Sequence, residues 1–382
     1  MRKSVAAVAV LIVGVVSAYA TGRTTVDLSG EGWTLIEPDG LKTAVSVPHS
    51  WNVEDGCDGK GVLSSERKRK NSSCASSYER KRVVYSRELP DPKAGRRYFV
   101  RCDGASITAV VKVNGRRVGE HLGAFTAFCF EVTDALQTSD NRLEIVVDNF
   151  SRDDVAPPVN ADFTMYGGLC RKVWLIETPC VCIDPTRDGG SGVRLFPNPE
   201  TGEVRAEIAV SGGADETRTF GVKDFRLWSP ETPVVYTQRF EIASGDAVTE
   251  TFGFRKVEFR EDGFYLNGVR RKLRGVNYHQ DREGRGWAVS DAERAADLAE
   301  IKELGADAVR TAHYPHAGAR TPFAMRRACW PGASNRMSTD FASPKLFAQT
   351  SGGRRVRWSC SSATIRRSSA GASSMSSTTR CR

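Results

Sequence analysis

The sequence predicts a multidomain β plus α/β chain. It should hold two β-sandwiches, then the incomplete start of a (β/α)8 barrel, then a disordered tail. Three observations predict this. Short, alternating apolar runs punctuated by Gly, Pro and Asp fill residues 24 to about 257, the mark of packed antiparallel sheets. A strand–helix–strand pattern then begins at Phe264, which calls for a parallel sheet. From Arg320 onward the chain becomes rich in Ser and Arg and loses its apolar period. A chain of 382 residues has room for two or three domains with real cores.

At the N-terminus Arg2 and Lys3 precede an apolar run over residues 5–16, and Ala18-Tyr19-Ala20 supplies a small-residue cleavage site. The run is short for a bilayer span, so residues 1–20 read as a secretory signal peptide. The mature chain is expected to be exported, periplasmic or extracellular, without a membrane span. Its ten Cys permit disulfides, but their spacing does not demand them. Cys180 and Cys182 lie two apart in an apparent strand and would share a face. They make a poor zinc pair without a second pair elsewhere. Cys102, Cys129 and Cys170 sit among apolar residues and read as small buried hydrophobes.

The formal charge of +9 is local. Residues 320–382 hold 12 basic residues against one acid, Asp340, leaving 43 basic and 45 acidic residues in the first 319. A nucleic-acid face would be interleaved with patterned sequence, so no nucleic-acid partner is expected.

The first unit, residues 24–182, reads as a jelly-roll β-sandwich. Strand candidates are Arg97-Tyr98-Phe99-Val100-Arg101, Ala109-Val110-Val111-Lys112-Val113 and Leu143-Glu144-Ile145-Val146-Val147, and Asn114-Gly115 is a type I′ hairpin signal. The polar stretch 65–82, with Arg67-Lys68-Arg69-Lys70, reads as an exposed loop. Residues 187–257 form a second β-unit after the Pro185 and Gly189-Gly190 junction. Its length, about 70 residues, is short for an immunoglobulin-like sandwich of ~100. The Gly212-Gly213 region is the expected place of a lost hairpin.

Residues 258–319 open the barrel. Residues 272–278 fit a buried strand running into a loop. Ser290-Asp291-Ala292-Glu293 is a capping box, Ala295, Leu298, Ile301 and Leu304 form one apolar stripe, and Gly305 is the stop. Residues 306–310 are the next strand. In such a barrel, chemistry sits at the C-terminal ends of the strands. Two polar clusters fall there, Asn277-Tyr278-His279-Gln280-Asp281 and Arg310-Thr311-Ala312-His313-Tyr314-Pro315-His316. Such donors and acceptors suit sugar hydroxyls. Either His alone would more readily satisfy loop backbone, but two clusters on consecutive strands favour substrate binding. The His spacings define no metal site.

These segments resemble glycoside hydrolase family 2. The resemblance rests on Gly275-Val276-Asn277-Tyr278-His279-Gln280-Asp281, on 284–287 and on Arg310-Thr311-Ala312-His313-Tyr314-Pro315. It also rests on Val47-Pro48-His49-Ser50-Trp51-Asn52, on Asp162 with Tyr166-Gly167-Gly168-Leu169-Cys170-Arg171-Lys172-Val173-Trp174-Leu175, and on Leu227-Trp228-Ser229-Pro230-Glu231-Thr232-Pro233 with Gly253-Phe254-Arg255. The His-Gln-Asp form most resembles the family's β-galactosidases, in which Arg is usual at Tyr278. The likeness covers residues 25 to about 319. It implies a sugar-binding jelly roll, an immunoglobulin-like sandwich and a TIM barrel acting on a carbohydrate by a retaining mechanism. It implies substrate-binding roles for His279, Arg310, His313 and Asp162. No cofactor or metal is assigned. Some relatives use Mg²⁺ or Na⁺, with ligands mostly in barrel parts that this sequence does not match.

A retaining mechanism needs two carboxylates roughly 5 Å apart. The family's acid/base Glu follows the fourth barrel strand in an Asn-Glu pair, and its nucleophile follows the seventh. No Asn-Glu pair occurs in this sequence, so no catalytic residue is assigned and the chain is expected to be inactive as written. The genetic code offers a reason. If each residue was originally encoded by the third base of one present codon and two of the next, residues 363–376 can encode Asn-His-Pro-Ser-x-x-x-Trp-x-x-x-Asn-Glu. This resembles the family's acid/base motif. In the same frame, 324–332 can encode Cys-Asp-x-x-Gly-Leu-Leu-Ala-Trp, resembling its third strand region. A frameshift near Arg320 is therefore expected. The alternatives are a secreted carbohydrate-binding fragment without catalysis and a non-functional product.

Overall fold

The computed structural model describes residues 22–53, 79–150, 152, 155, 164–312 and 314–317, and the backbone of 330–333. The expected signal peptide and the basic run at 67–70 lie outside the described residues.

Ten strands build the first unit: β1 Thr24–Asp27, β2 Gly30–Ile36, β3 Lys42–Val47, β4 Arg82–Glu88, β5 Arg97–Cys102, β6 Thr108–Val113, β7 Arg116–Leu122, β8 Phe128–Glu131, β9 Arg142–Asp148 and β10 Val173–Thr178. They pair as a four-stranded sheet, β1-β10-β5-β8, and a six-stranded sheet, β3-β2-β4-β9-β6-β7, all antiparallel. Period-2 alternation fills the space between them: Leu143, Ile145 and Val147 of β9 and Ala109, Val111 and Val113 of β6 are fully buried. Trp33 joins this core and donates its indole N–H to Leu28 O at 2.7 Å. Asn114 and Gly115 take positive φ (51° and 78°) in a two-residue turn between β6 and β7, the I′ geometry that only such residues adopt cheaply.

The four-stranded sheet is covered on both faces, which explains the unbroken apolar run at its centre. Val100 and Leu175 face the sandwich core, while Phe99, Ile176 and Cys129 face the next unit and pack on Cys182. That unit comprises β11 Cys182–Ile183, β12 Val193–Pro197, β13 Glu203–Ile208, β14 Val210–Ser211, β15 Glu216–Gly221, β16 Tyr236–Glu241 and β17 Ala247–Phe252. The sheet β12-β13-β15 faces the pair β16-β17 across Ile183, Ala206, Ile208 and Phe240, with β11-β14 at the junction. β14 turns into β15 through Gly212 (φ +82°) and Gly213, with no further hairpin between them. Arg23 joins the two units by pairing at 2.8 Å with Asp246, whose fully buried carboxylate also accepts the Ile183 N–H.

The Cys residues divide. Cys102, Cys129 and Cys170 are buried, and burial raises each thiol's pKa. Cys180 does not share a face with Cys182 as expected. The strand begins only at Cys182, which is buried, and Cys180 lies before it, exposed.

An antiparallel meander follows, β18 Val257–Arg260, β19 Gly263–Leu266 and β20 Val269–Arg271. Then comes β21 Gly275–Tyr278, α1 Asp291–Glu303, β22 Ala308–Thr311 and β23 Trp330–Ala333, with β21, β22 and β23 parallel in that order. This is the opening of a TIM barrel. α1 has both halves of its capping box, Glu293 N–H to Ser290 Oγ at 3.2 Å and Ser290 N–H to Glu293 Oε2 at 2.8 Å. Its apolar stripe is only half-buried, and Leu304, expected to belong to it, is 80% exposed at the C-cap, where Gly305 (φ +81°) turns the chain away. β23 falls within the segment expected to be unstructured from residue 320. Its four residues add a third parallel strand, and the rest of 320–382 lies outside the described residues.

Candidate functional site

The parallel register sets Asn277 beside Arg310 and Tyr278 beside Thr311, so both polar clusters leave the sheet at the same edge. Gly275 permits this close pairing, since a Cβ there would lie 3.1 Å from Ala308 O. Arg310 Nη1 donates to Asn277 Oδ1 at 3.2 Å. His279 is half-buried, its ring 5.9 Å from that of Tyr314 in an edge-on arrangement. Asp281 is half-buried beside it. Desolvation raises its carboxyl pKa, and the charge of His279 partly opposes that rise. Of the four expected sugar-facing residues, the structure thus brings His279 and Arg310 to one strand edge. His313 and Asp162 lie outside the described residues.

Other members of the clusters hold the loops. Gln280 uses both amide atoms on Ala317, donating to its carbonyl at 3.0 Å and accepting its N–H at 2.7 Å. Tyr278 donates to Asp297 Oδ2 at 2.6 Å, and Arg282 donates to Asp297 Oδ1 at 2.9 Å. The phenol therefore takes up one carboxylate oxygen of α1 while Arg282 takes the other. That accommodates Tyr278 where the resembled family usually has Arg. Burial lowers the His316 pKa to about 3, and its Nε2 lies 3.5 Å from Ala312 O. Among the described residues, no group of three or more His, Cys, Asp or Glu is placed to hold a metal ion.

The jelly roll closes on this edge. Phe125 stacks on Tyr314 with centroids 3.9 Å apart and planes 5° from parallel. Trp287 meets Phe125, Tyr314 and Tyr166 edge-on at 4.6, 5.7 and 5.6 Å. Ile107, Met165 and Cys170 belong to the same cluster. Arg171 donates to Phe125 O at 2.7 Å and to Pro315 O at 2.5 Å. The segment carrying Tyr166 and Arg171 is fastened to the other N-terminal motif. His49 N–H bonds Leu169 O (2.8 Å), Trp51 N–H bonds Gly167 O (3.1 Å), and Gly167 N–H bonds Asn52 Oδ1 (2.8 Å). Trp51 lies so close to the backbone that a Cβ on Gly167 would come within 2.0 Å of its ring. The two motifs are thus one structural device. Phe125 carried no signal in the sequence. Arg171 was visible only as a motif letter, because its partners lie 46 and 144 residues away.

Comparison with known proteins agrees with this architecture. Residues 18–179 match the sugar binding domain of glycosyl hydrolases family 2, residues 194–255 match a second family 2 model, and residues 257–322 match the family's TIM barrel domain. The chain belongs to glycoside hydrolase family 2. It is 32% identical over 316 residues to a β-glucuronidase of Bacteroides fragilis, covering 72% of this chain and 44% of that protein. It is 29% identical over 258 residues to a β-galactosidase of Thermoanaerobacter pseudethanolicus, covering 58% and 35%. Among solved structures, an FMN-binding β-glucuronidase from Facaelibacterium prausnitzii superposes with a TM-score of 0.70 at 33% identity, covering 81% of this chain and 52% of that one. The chain spans roughly a third to a half of the length of these family members.

Proposed function

We propose that this family 2 chain carries one wall of a terminal β-linked sugar site and does not hydrolyse the sugar as written. The observation that supports this reading is the register of β21 and β22, which pairs Asn277 with Arg310, while His279 and Asp281 follow directly after the end of β21. His279 and Arg310 are the residues assigned to the sugar, and the same role is proposed for His313 and Asp162 from the sequence motifs alone. A retaining reaction needs a proton donor and a carboxylate nucleophile on opposite sides of the scissile bond. Gln280 and Asp297 are committed to holding loops, and no Asn-Glu pair occurs in the sequence. The His-Gln-Asp form supports a galactoside. The β-glucuronidase relatives support a second reading, a glucuronide, whose carboxylate Arg310 could pair.

The same proposal covers the tail. The acid/base motif is read as written one base out of frame beyond Arg320, and activity after repair of the frame would support descent from an active enzyme. The mature chain is proposed to be exported after cleavage behind Ala20. The test is turnover of nitrophenyl β-galactoside and β-glucuronide by pure protein, with calorimetric titration of galactose and glucuronate. Binding without turnover is expected. Turnover would overturn the reading of inactivity, and binding of neither sugar would leave the non-functional product as the better account.

A further inference from the structure

We propose that Arg171 is a positioning residue that lets the jelly roll set the backbone of the barrel loop at 314–317. Its side chain is buried, with its guanidinium bridging two carbonyls on different domains, Phe125 O at 2.7 Å and Pro315 O at 2.5 Å. The fork also lies over the Phe125 ring, 5.6 Å from its centroid, and Phe125 in turn stacks on Tyr314 of the loop. The channel for its stem is shaped by Gly104. A Cβ there would come within 2.8 Å of Arg171 Cδ and 2.9 Å of Ala124 O. On the jelly-roll side, Arg171 stands on the segment fastened to His49, Trp51 and Asn52. On the barrel side, Gln280 grips Ala317, two residues beyond Pro315. The loop is therefore held twice, once by its own barrel and once from another domain. A planar fork holds both carbonyls in one fixed geometry, whereas a lysine ammonium is a compact charge with three rotatable donors on a flexible stem. The role assigned to the jelly roll is thus structural for the barrel, in addition to any contact with sugar.

Hydrogen exchange on the full chain tests this, comparing wild type with Arg171→Met and Arg171→Lys. The readouts are the loop amides of Ala312, which donates to Tyr278 O at 3.0 Å, and of Ala317. Loss of a charge-assisted bond predicts about tenfold or more faster exchange at these amides in Arg171→Met. A smaller increase is predicted for Arg171→Lys, and no change in β6 and β9. Unchanged exchange at both amides overturns the proposal, and so does an equal increase throughout the jelly roll, which would mark a general stabilising role. If Arg171→Met does not fold, Arg171→Lys gives the same reading at reduced size. The consequence for ligand rests on the proposed sugar site: galactose or glucuronate should bind about tenfold more weakly to Arg171→Met. Failure of wild type to bind either sugar would sink the sugar site alone, while the exchange result still decides the latch.

Discussion

Phe125→Ala measures how strongly the jelly roll and the barrel opening hold one another. The ring is 7% exposed, stacked on Tyr314 at 3.9 Å and met by Trp287 at 4.6 Å. Truncating a buried Phe costs about 3–5 kcal/mol, of which each aromatic pair contributes about 0.5–1.5. The backbone carbonyl that accepts Arg171 remains, so the lower end, about 3 kcal/mol, is expected. That raises the undocked population by roughly 150-fold. The main sandwich core around Trp33, Tyr85 and Ile145 is a separate cluster and is untouched. Hydrogen exchange followed across a urea series should therefore show protection lost in peptides from 287–316 while β4, β6 and β9 keep theirs. A loss below about 1 kcal/mol, or an equal loss in both regions, would refute the docking account.

Three further outcomes follow from single positions. Gly167→Ala should destabilise the jelly roll by about 1–3 kcal/mol or prevent folding, because Trp51 leaves no room for a methyl group; a neutral change in thermal unfolding would contradict the packing. Ser290→Ala should loosen the first turn of α1 by about 1 kcal/mol, measurable as faster exchange at Glu293 N–H, with Ser290→Asp retaining protection. His316 is held neutral, its folded pKa of about 3 lying below the unfolded value of 6.5. The unfolded state therefore binds the extra proton between these values, so stability falls as pH drops from 6.5 toward 3, by at most about 1.4 kcal/mol per unit. His121, lowered by burial to about 4, acts in the same direction. His316→Asn should reduce the acid slope of urea midpoints without abolishing it, and an unchanged slope would show that His316 is not held neutral.

Much of the fold was legible because its causes are local. Alternation in β6 and β9, the Asn114-Gly115 turn and the Ser290/Glu293 box each depend on neighbours a few residues away. Leu304 belongs to the apolar stripe in the sequence yet stands exposed, because a stripe marks a face, while burial needs an opposing surface. The site was legible as two polar clusters, but the division of labour inside them was not. Gln280 and Tyr278 look as suited to sugar as His279 does, and only their contacts with Ala317 and Asp297 show them holding loops. Arg171 and Phe125 were illegible for a physical reason: their roles arise from contacts that form only when two domains meet.

The most direct test of the central claim, a family 2 glycosidase whose acid/base is written but not read, is the nucleotide sequence across codons 363–376. The account predicts an Ala363 codon ending in A, Thr364 and Ile365 codons ending in C, an Ala370 codon ending in T and a Ser376 codon beginning AG. Any other base at the end of the Thr364 codon, or a Ser376 codon beginning TC, would contradict it.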